Sequence, residues 1–109
     1  MSYKVITIGS FERELKRLTK KYPSLKHEYI QLAELKRKPD FGSPVGKDCF
    51  KIRIAIASKG KGKRGGARVI THIVVRSETV YLVSIYDKSE VDNISDSDLQ
   101  RLIDSLDRI

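Results

Sequence analysis

The first forty residues carry the hydrophobic pattern of one strand followed by two helices. Apolar and polar residues alternate over Tyr3–Ile8, which is the period of a strand. Ser10 stands where it could cap a helix, and residues 11–22 repeat apolar side chains at helical spacing. Because Pro23 fits only the first turn of a helix, a second helix is predicted from Leu25 to about Arg37. The short joint between the two predicts an antiparallel helical hairpin.

Beyond residue 48 the apolar period changes to two, which predicts strands. A loop over Pro39–Asp48 leads into a strand over Phe50–Ala57, whose isoleucines alternate with basic or small residues. The glycine-rich segment Ser58–Gly66 predicts a flexible connection. Two further β-rich runs, Ala67–Arg76 and Thr79–Tyr86, are joined by a predicted tight turn.

A short amphipathic helix is predicted near the end of the chain, with Ser95 as its cap and Leu99, Leu102, Ile103 and Leu106 on one face. The order of elements predicts an α+β fold in a single domain over residues 1–109. An N-terminal strand and a helical hairpin would pack on a mainly antiparallel four-stranded sheet (β-α-α-β-β-β), followed by the short C-terminal helix. The hairpin would cover one face of the sheet, and the other face is expected to be open.

Composition narrows the class of protein. A chain of 109 residues, 39% hydrophobic and 33% charged, is typical of a globular protein with one core. No apolar run reaches the roughly 18 residues that span a bilayer, and no signal peptide is recognised, so no membrane association is expected. The lone Cys49 cannot form an internal disulfide, which favours a cytoplasmic location. With one cysteine and two separated histidines, we expect no metal site and no cofactor.

The net charge of +8 is unevenly distributed along the chain. Residues 49–77 contain eight Lys/Arg and no Asp or Glu, whereas residues 87–109 contain seven acidic and three basic residues. Protein surfaces normally mix both signs, so the acid-free stretch indicates a polyanionic partner. The alternative is a basic, solvated loop that maintains solubility.

Three cations are predicted to converge on one face of the sheet. Alternation puts Lys51 and Arg53 on the same side of their strand, and Arg68 shares a side of the next strand with His72 and Arg76. Since burying charge is costly, we expect Lys51, Arg53 and Arg68 to face solvent or a ligand. They could simply form the solvent-exposed side of the sheet. However, repulsion between cations on neighbouring strands is destabilising, which argues against a cluster without a function.

Such a cluster suits cleavage of an RNA phosphodiester by the RNA's own 2′-hydroxyl. That reaction requires a base, cations that stabilise charge on phosphorus, and an acid for the leaving oxygen. Lys51 beside two other cations is the candidate base, and the planar guanidinium of Arg68 is the candidate phosphate clamp. His72 is a candidate acid or base, although a lone histidine on a strand is more often structural. Tyr86 could stack on a nucleobase, whereas Cys49 has no expected partner base and is interpreted as inert.

The connection between the second and third predicted strands is a candidate RNA contact. Its four basic residues are Lys59, Lys61, Lys63 and Arg64. The segment lacks the Lys-Ser/Thr spacing of a phosphate-binding loop, so nucleotide binding is not expected. It would grip RNA backbone without reading sequence, with Arg76 as a further contact. The alternative is a solvated hairpin tip.

The sequence resembles one known group of proteins over nearly its whole length. Phe50-Lys51-Ile52-Arg53 resembles the basic strand of the RelE/ParE toxin superfamily, and the run GKGKRGGARVI at residues 60–70 is similar to its HigB branch. This resemblance implies the toxin of a type II toxin–antitoxin system, with a cognate antitoxin protein as partner. It also implies a metal-independent endoribonuclease that cleaves mRNA in the ribosomal A site and inhibits translation.

The resemblance assigns roles only where residues match. Lys51, Arg53 and Arg68 match the family's basic strand residues, and Lys88 stands where a basic residue follows the last strand. The family's C-terminal tyrosine or histidine has no counterpart, so the general acid stays open between Lys88, Tyr86 and His72. Two other functions also stay open: a ParE-like toxin that binds DNA gyrase without cleaving RNA, and a non-catalytic basic RNA-binding module.

The basic connection generates a prediction that salt can test. Neutralising Lys59, Lys61, Lys63 and Arg64 together should weaken ribosome binding, because each phosphate bound by a cation releases counterions. The slope of log affinity against log salt should fall by roughly 0.7 to 0.9 for each phosphate that the variant no longer binds. An unchanged slope would identify the segment as a solvated tip.

Overall fold

A computed structural model describes residues 2–57, 60 and 65–106. Its elements follow the chain in this order: β1 (Lys4–Thr7), α1 (Gly9–Lys21), α2 (Leu25–Glu28), a 3₁₀ helix (Tyr29–Lys36), β2 (Ser43–Gly46), β3 (Cys49–Ile54), β4 (Ala67–Val74), a 3₁₀ turn (Val75–Ser77), β5 (Thr79–Asp87) and α3 (Asp96–Ser105). Within these described ranges, no helix is long and apolar enough to cross a bilayer.

The strands form one sheet in the order β1-β5-β4-β3-β2. β1 pairs with β5 in parallel, and the other three pairings are antiparallel. The α+β class and the joining of β1 to a mainly antiparallel sheet are therefore confirmed. The predicted count of four strands was one too low, because Ser43–Gly46 pairs with β3 inside the segment predicted as loop. Pro44 is tolerated there because β2 is an edge strand.

The helical layer departs from its prediction at two points. α1 begins at Gly9 with Ile8 as its N-cap and no side-chain capping bond, so the prediction of Ser10 as cap was wrong. The second helix is α-helical only over Leu25–Glu28 and then tightens into an eight-residue 3₁₀ helix, which is long for that conformation. The cap of α3 was predicted correctly, since the Ser95 hydroxyl accepts a hydrogen bond of 3.1 Å from the backbone N–H of Asp98.

One face of the sheet carries the main core. Ile52 and Ile54 of β3 and Val69 of β4 lie on this face and are at most 1% exposed. They pack with fully buried side chains of the helical layer: Phe11, Leu18, Leu25 and Leu35. Burial of these side chains supplies most of the driving force for folding, at roughly 1.5–3 kcal/mol for each large apolar group.

The opposite face is only partly open, which corrects the prediction of a free face. α3 and the loop before it lie over the β5 side, where Ile94 and Leu102 line a cavity together with Ser84 and Tyr86. Leu99 of α3 is 1% exposed and belongs to the same hydrophobic cluster as Tyr86. The β3 side of this face remains accessible to solvent, as the exposed side chain of Arg53 shows. The C-terminal helix therefore determines how much of the polar face is accessible to a ligand.

Gly66 shows how closely β3 and β4 approach each other. A Cβ atom at this position would clash with the backbone carbonyl oxygen of Ile54. Only glycine fits there without moving backbone. The backbone N–H of Lys88 donates to the Gly66 carbonyl oxygen at 3.1 Å, which extends the sheet beyond the end of β5.

A buried carboxylate joins the helical layer to the end of β5. Asp87 is fully buried and accepts a hydrogen bond of 2.9 Å from the Tyr22 hydroxyl. The Ser89 hydroxyl and backbone N–H donate to its other oxygen at 2.8 and 3.0 Å. Nearby, the Arg17 guanidinium contacts Glu90 at 2.7 Å. These contacts fix the position at which β5 ends and the chain turns toward α3.

Tyr22→Phe tests the contribution of this bond. The substitution removes one hydrogen-bond donor to a buried charge, so the free energy of unfolding should fall by about 1–3 kcal/mol. Urea denaturation followed by circular dichroism measures the change. Tyr3→Phe, which removes a hydroxyl elsewhere in the domain, serves as control and should change stability by less than about 0.5 kcal/mol. Equal stability of the two variants would show that the Asp87 contact contributes nothing.

Candidate functional site

The strand register places three of the predicted site residues in one row across the sheet. Arg53 of β3 lies directly opposite Arg68 of β4, and Arg68 lies directly opposite Tyr86 of β5. Lys51 belongs to the next row, opposite Ile70. Since directly paired residues of neighbouring strands point to the same face, Lys51, Arg53, Arg68 and Tyr86 share the face that the main core does not use. We call Lys51, Arg53 and Arg68 the cationic patch.

Accessibility differs sharply within the cationic patch. Arg53 is exposed and Lys51 is half-buried, whereas Arg68 is only 3% exposed. Of the expectation that all three face solvent or a ligand, exposure to solvent is therefore not met by Arg68. One of its terminal nitrogens, Nη1, donates to the backbone carbonyl of Ala67 at 3.1 Å. Truncation of Arg68 would accordingly remove packing as well as charge.

Burial and like charge act together on Arg68. Burial lowers the pKa of its guanidinium, the charge of Arg53 lowers it further, and Tyr86 opposes the shift. An arginine nevertheless stays protonated at neutral pH. The patch therefore contains a buried positive charge beside an exposed one on the same face of the sheet, a geometry that strengthens the field at the surface around Arg53.

Tyr86 lies under cover beside Arg68. It is 7% exposed, and its hydroxyl forms no hydrogen bond of regular geometry with the described residues. Burial raises the pKa of its phenol, while the charge of Arg68 and the backbone of Ile94 lower it. The phenol is therefore neutral near pH 7 and can both donate and accept a hydrogen bond.

His72 lies on the same face but two rows from Arg53. It pairs with Cys49 across β3 and β4, and its Nδ1 is 3.4 Å from the Cys49 sulfur. The expectation that Cys49 has no partner base was thus wrong. The thiol is still poorly reactive, because burial raises its pKa to about 11. No sequence signal linked these residues, since their contact depends on the register of two strands separated by a long connection.

The remaining candidates lie around the patch or apart from it. Lys88 follows β5, and its amine lies 3.7 Å from the exposed Asp92 carboxylate. Arg76 lies in the turn at the far end of β4, about 20 Å along the strand from Arg68. The predicted RNA contacts Lys59, Lys61, Lys63 and Arg64 lie outside the described residues. Within the described ranges, His, Cys, Asp and Glu form no group of three that could hold a metal ion.

Chemically, the patch can bind and polarise an anion. Its two accessible cations would approach a phosphate from the β3 side, with a buried guanidinium and a neutral phenol beside them. Cations placed where charge develops stabilise the transition state of phosphoryl transfer. The site offers no activated cysteine, because the Cys49 thiol stays protonated at neutral pH.

Comparison with known proteins identifies relatives along most of the chain. The family model described as "RelE toxin of RelE / RelB toxin-antitoxin system" matches residues 8–105. An arginine double mutant of the Escherichia coli toxin RelE in the free state is similar in structure, with a TM-score of 0.62 and 17% identity over 84% of this chain and 90% of that one. A RelBE toxin–antitoxin complex from Mycobacterium tuberculosis matches with a TM-score of 0.56 and 21% identity, over 80% and 99% of the two chains.

The raised pKa of Cys49 predicts slow alkylation. At pH 8 a thiol with a pKa of about 11 contains roughly 100-fold less thiolate than one with the ordinary value. Iodoacetamide should therefore label the folded protein at least about 100-fold more slowly than the urea-denatured protein, as followed by intact mass. Equal rates would contradict the placement of Cys49 inside the fold.

Proposed function

The chain belongs to the RelE toxin family, and we propose that it is the ribosome-dependent endoribonuclease of a type II toxin–antitoxin system. In this proposal it cleaves messenger RNA in the ribosomal A site and thereby inhibits translation. The observation that carries the proposal is the register of β3 and β4, which gathers Lys51, Arg53 and Arg68 on one face. That face belongs to a segment with no acidic residue between positions 49 and 77.

We assign the direct RNA contacts to the two accessible cations. In its neutral amine form, Lys51 takes the proton from the 2′-hydroxyl and becomes an ammonium, and Arg53 binds the non-bridging oxygens of the phosphate. The hydroxyl oxygen then attacks phosphorus, the bond to the 5′-oxygen breaks, and a cyclic phosphate remains on the upstream fragment. Binding the RNA in line for this attack lowers the barrier as much as the charges do.

Arg68 supports this chemistry from the neighbouring strand. Being 3% exposed, it does not reach a phosphate above the sheet, but its charge lies in the same row as Arg53. Electrostatic interactions in such a partly desolvated position are stronger than in water. We therefore assign Arg68 as a positioning residue that stabilises the developing phosphate charge through space.

Lys88 is the best placed of the three candidate acids. Its only ion pair among the described residues is with Asp92, a carboxylate that is 99% exposed and easily exchanged for a ligand. It follows Tyr86 by two residues, and alternation puts it on the same face of the extended sheet. His72 lies two rows from Arg53, and the hydroxyl of Tyr86 is covered. Lys88 would donate the proton to the leaving 5′-oxygen.

The partner that controls such a toxin is a cognate antitoxin. The similar complex from Mycobacterium tuberculosis pairs a toxin with an antitoxin, and we propose the same kind of assembly here. The distribution of charge favours an antitoxin that presents acidic residues to the face containing Arg53. An antitoxin could instead displace α3 from its apolar contacts with the sheet. Either mode of antitoxin binding would prevent the site from contacting mRNA on the ribosome.

Single-charge variants test the proposal in a purified translation mixture. Lys51→Ala and Arg53→Ala should each lower mRNA cleavage by about 10²–10³-fold, the usual cost of removing one group that stabilises the transition state. Lys26→Ala removes the same charge from an exposed position of α2 and should cleave like the wild type. Mapping RNA 5′ ends on programmed ribosomes gives the rate and the position of each cut.

Three outcomes of this experiment, run in parallel with a DNA gyrase supercoiling assay and a ribosome-binding assay, would contradict the proposal. Cleavage that persists in both site variants would show that the active site lies elsewhere in the protein. Loss of gyrase supercoiling activity without RNA cuts would identify a ParE-like inhibitor. Ribosome binding without cuts or gyrase inhibition would identify a non-catalytic RNA-binding module. Circular dichroism of each variant verifies that the fold is intact.

A further inference from the structure

A cavity of about 280 Å³ lies between the end of β5 and α3, next to the cationic patch. Its walls are formed by apolar side chains of α3 and the preceding loop: Val91, Ile94 and Leu102. Ser84 and Tyr86 of β5 form its floor, and the paired side chains of Asp98 and Arg101 complete its lining. Apolar walls with a few polar groups are typical of sites for small molecules.

Tyr86 supplies the second indication of a ligand. The tyrosine is more than nine-tenths buried, and its hydroxyl has only a weak contact with the Ile94 backbone and no regular hydrogen bond among the described residues. Buried hydroxyls normally have a partner, because leaving one unpaired costs free energy. Tyr86 lines the cavity, so a ligand that displaces the cover of this hydroxyl could pair with it through an acceptor or donor on the ligand's edge.

The distance to the cationic patch matches the dimensions of RNA. Tyr86 pairs with Arg68, which pairs with Arg53, so two strand spacings separate the cavity from the exposed cation. Two spacings amount to about 10 Å. A nucleotide with its base splayed out from the strand can span this distance from phosphate to base edge.

The outer lining offers groups that distinguish one base from another. Arg101 Nη1 lies 3.1 Å from Asp98 Oδ1, and both side chains are more than half exposed. A weak surface pair of this kind exchanges readily for other partners. The guanidinium can donate to a keto oxygen or ring nitrogen, and the carboxylate can accept from an amino or imino group.

We propose that the cavity between β5 and α3 binds the nucleobase adjacent to the scissile phosphate and sets the base preference of the cut. Val91, Ile94 and Leu102 contact the faces of the base, while Tyr86, Asp98 and Arg101 read its edge. This proposal rests on the proposed endoribonuclease function. It also gives α3 a role beyond covering the sheet, because the site exists only while this helix is in place.

Two pairs of variants test the proposal without touching the cationic patch. Val91→Trp fills the cavity from an exposed position, and Val75→Trp adds the same side chain at an exposed position in the turn after β4. Arg101→Ala removes the edge-reading cation. Its control, Arg37→Ala, removes an arginine of equal exposure that is likewise paired with an acidic residue three positions away. Cleavage on programmed ribosomes is mapped over a message containing all four bases at every codon position.

The proposal predicts a change in base preference rather than a general loss. Val91→Trp and Arg101→Ala should reduce the ratio between the best and worst base at the cut by roughly tenfold, whereas both controls should keep it. Unchanged ratios in both site variants would overturn the nucleobase site while leaving the endoribonuclease function intact.

A second measurement keeps the test independent of catalysis. Titration of the ¹⁵N-labelled toxin with each of the four 5′-mononucleotides should shift the amide signals of Val91, Ile94 and Leu102, and Val91→Trp should abolish these shifts. If the wild type cleaves no RNA, the proposed function fails, and this titration alone shows whether the cavity binds a nucleobase. Shifts at these amides would then support a base site, and no shift at millimolar nucleotide would overturn it.

Discussion

Burial of one face of the sheet beneath the helical layer is the constraint on which the rest of the structure depends. Ile52, Ile54 and Val69 are almost completely removed from solvent on that face. Because side chains alternate along a strand, this burial commits Lys51, Arg53 and Arg68 to the opposite face. A slip of one residue in β3 would put Lys51 and Arg53 into the core, at a cost of several kcal/mol per charge. The hydrophobic core therefore also fixes the position of the cationic patch.

On the opposite face of the sheet, apolar contacts and charged side chains lie next to each other. α3 covers Tyr86 with apolar side chains but leaves Arg53 exposed, so the row across the sheet grades from apolar to charged. Arg68 lies at the transition, buried and still positively charged. Its desolvation is unfavourable for folding, and the same desolvation strengthens its field toward a phosphate. Sites that retain such unfavourable charges are often functional, which fits the role assigned to Arg68.

Much of the fold could be predicted from the local pattern of apolar and polar residues, whereas the solvent accessibility of the site residues could not. The period-two alternation of Phe50–Ala57 and the capping by Ser95 predicted β3 and α3. Local pattern missed β2, because Ser43–Gly46 is short, contains a proline and takes its strand form by pairing with β3. It also missed the 3₁₀ geometry of Tyr29–Lys36, where the apolar stripe is compatible with either helix type.

The site shows the same division between local and distant causes. The common facing of Lys51, Arg53 and Arg68 was predictable from alternation once β3 and β4 were taken as neighbours. The burial of Arg68 and the cavity beside Tyr86 depend on where α3 packs, and nothing in the sequence near either residue specifies that contact. The Cys49–His72 contact likewise required the register of two strands.

The most direct test of the account is a structure of the toxin bound to a ribosome carrying mRNA blocked with 2′-O-methyl groups. The phosphate at the cut should lie over β3, within hydrogen-bond distance of Lys51 and Arg53, with Arg68 beside them in β4 and still covered. RNA bound along the helical layer, with the face of Arg53 turned toward solvent, would contradict the account.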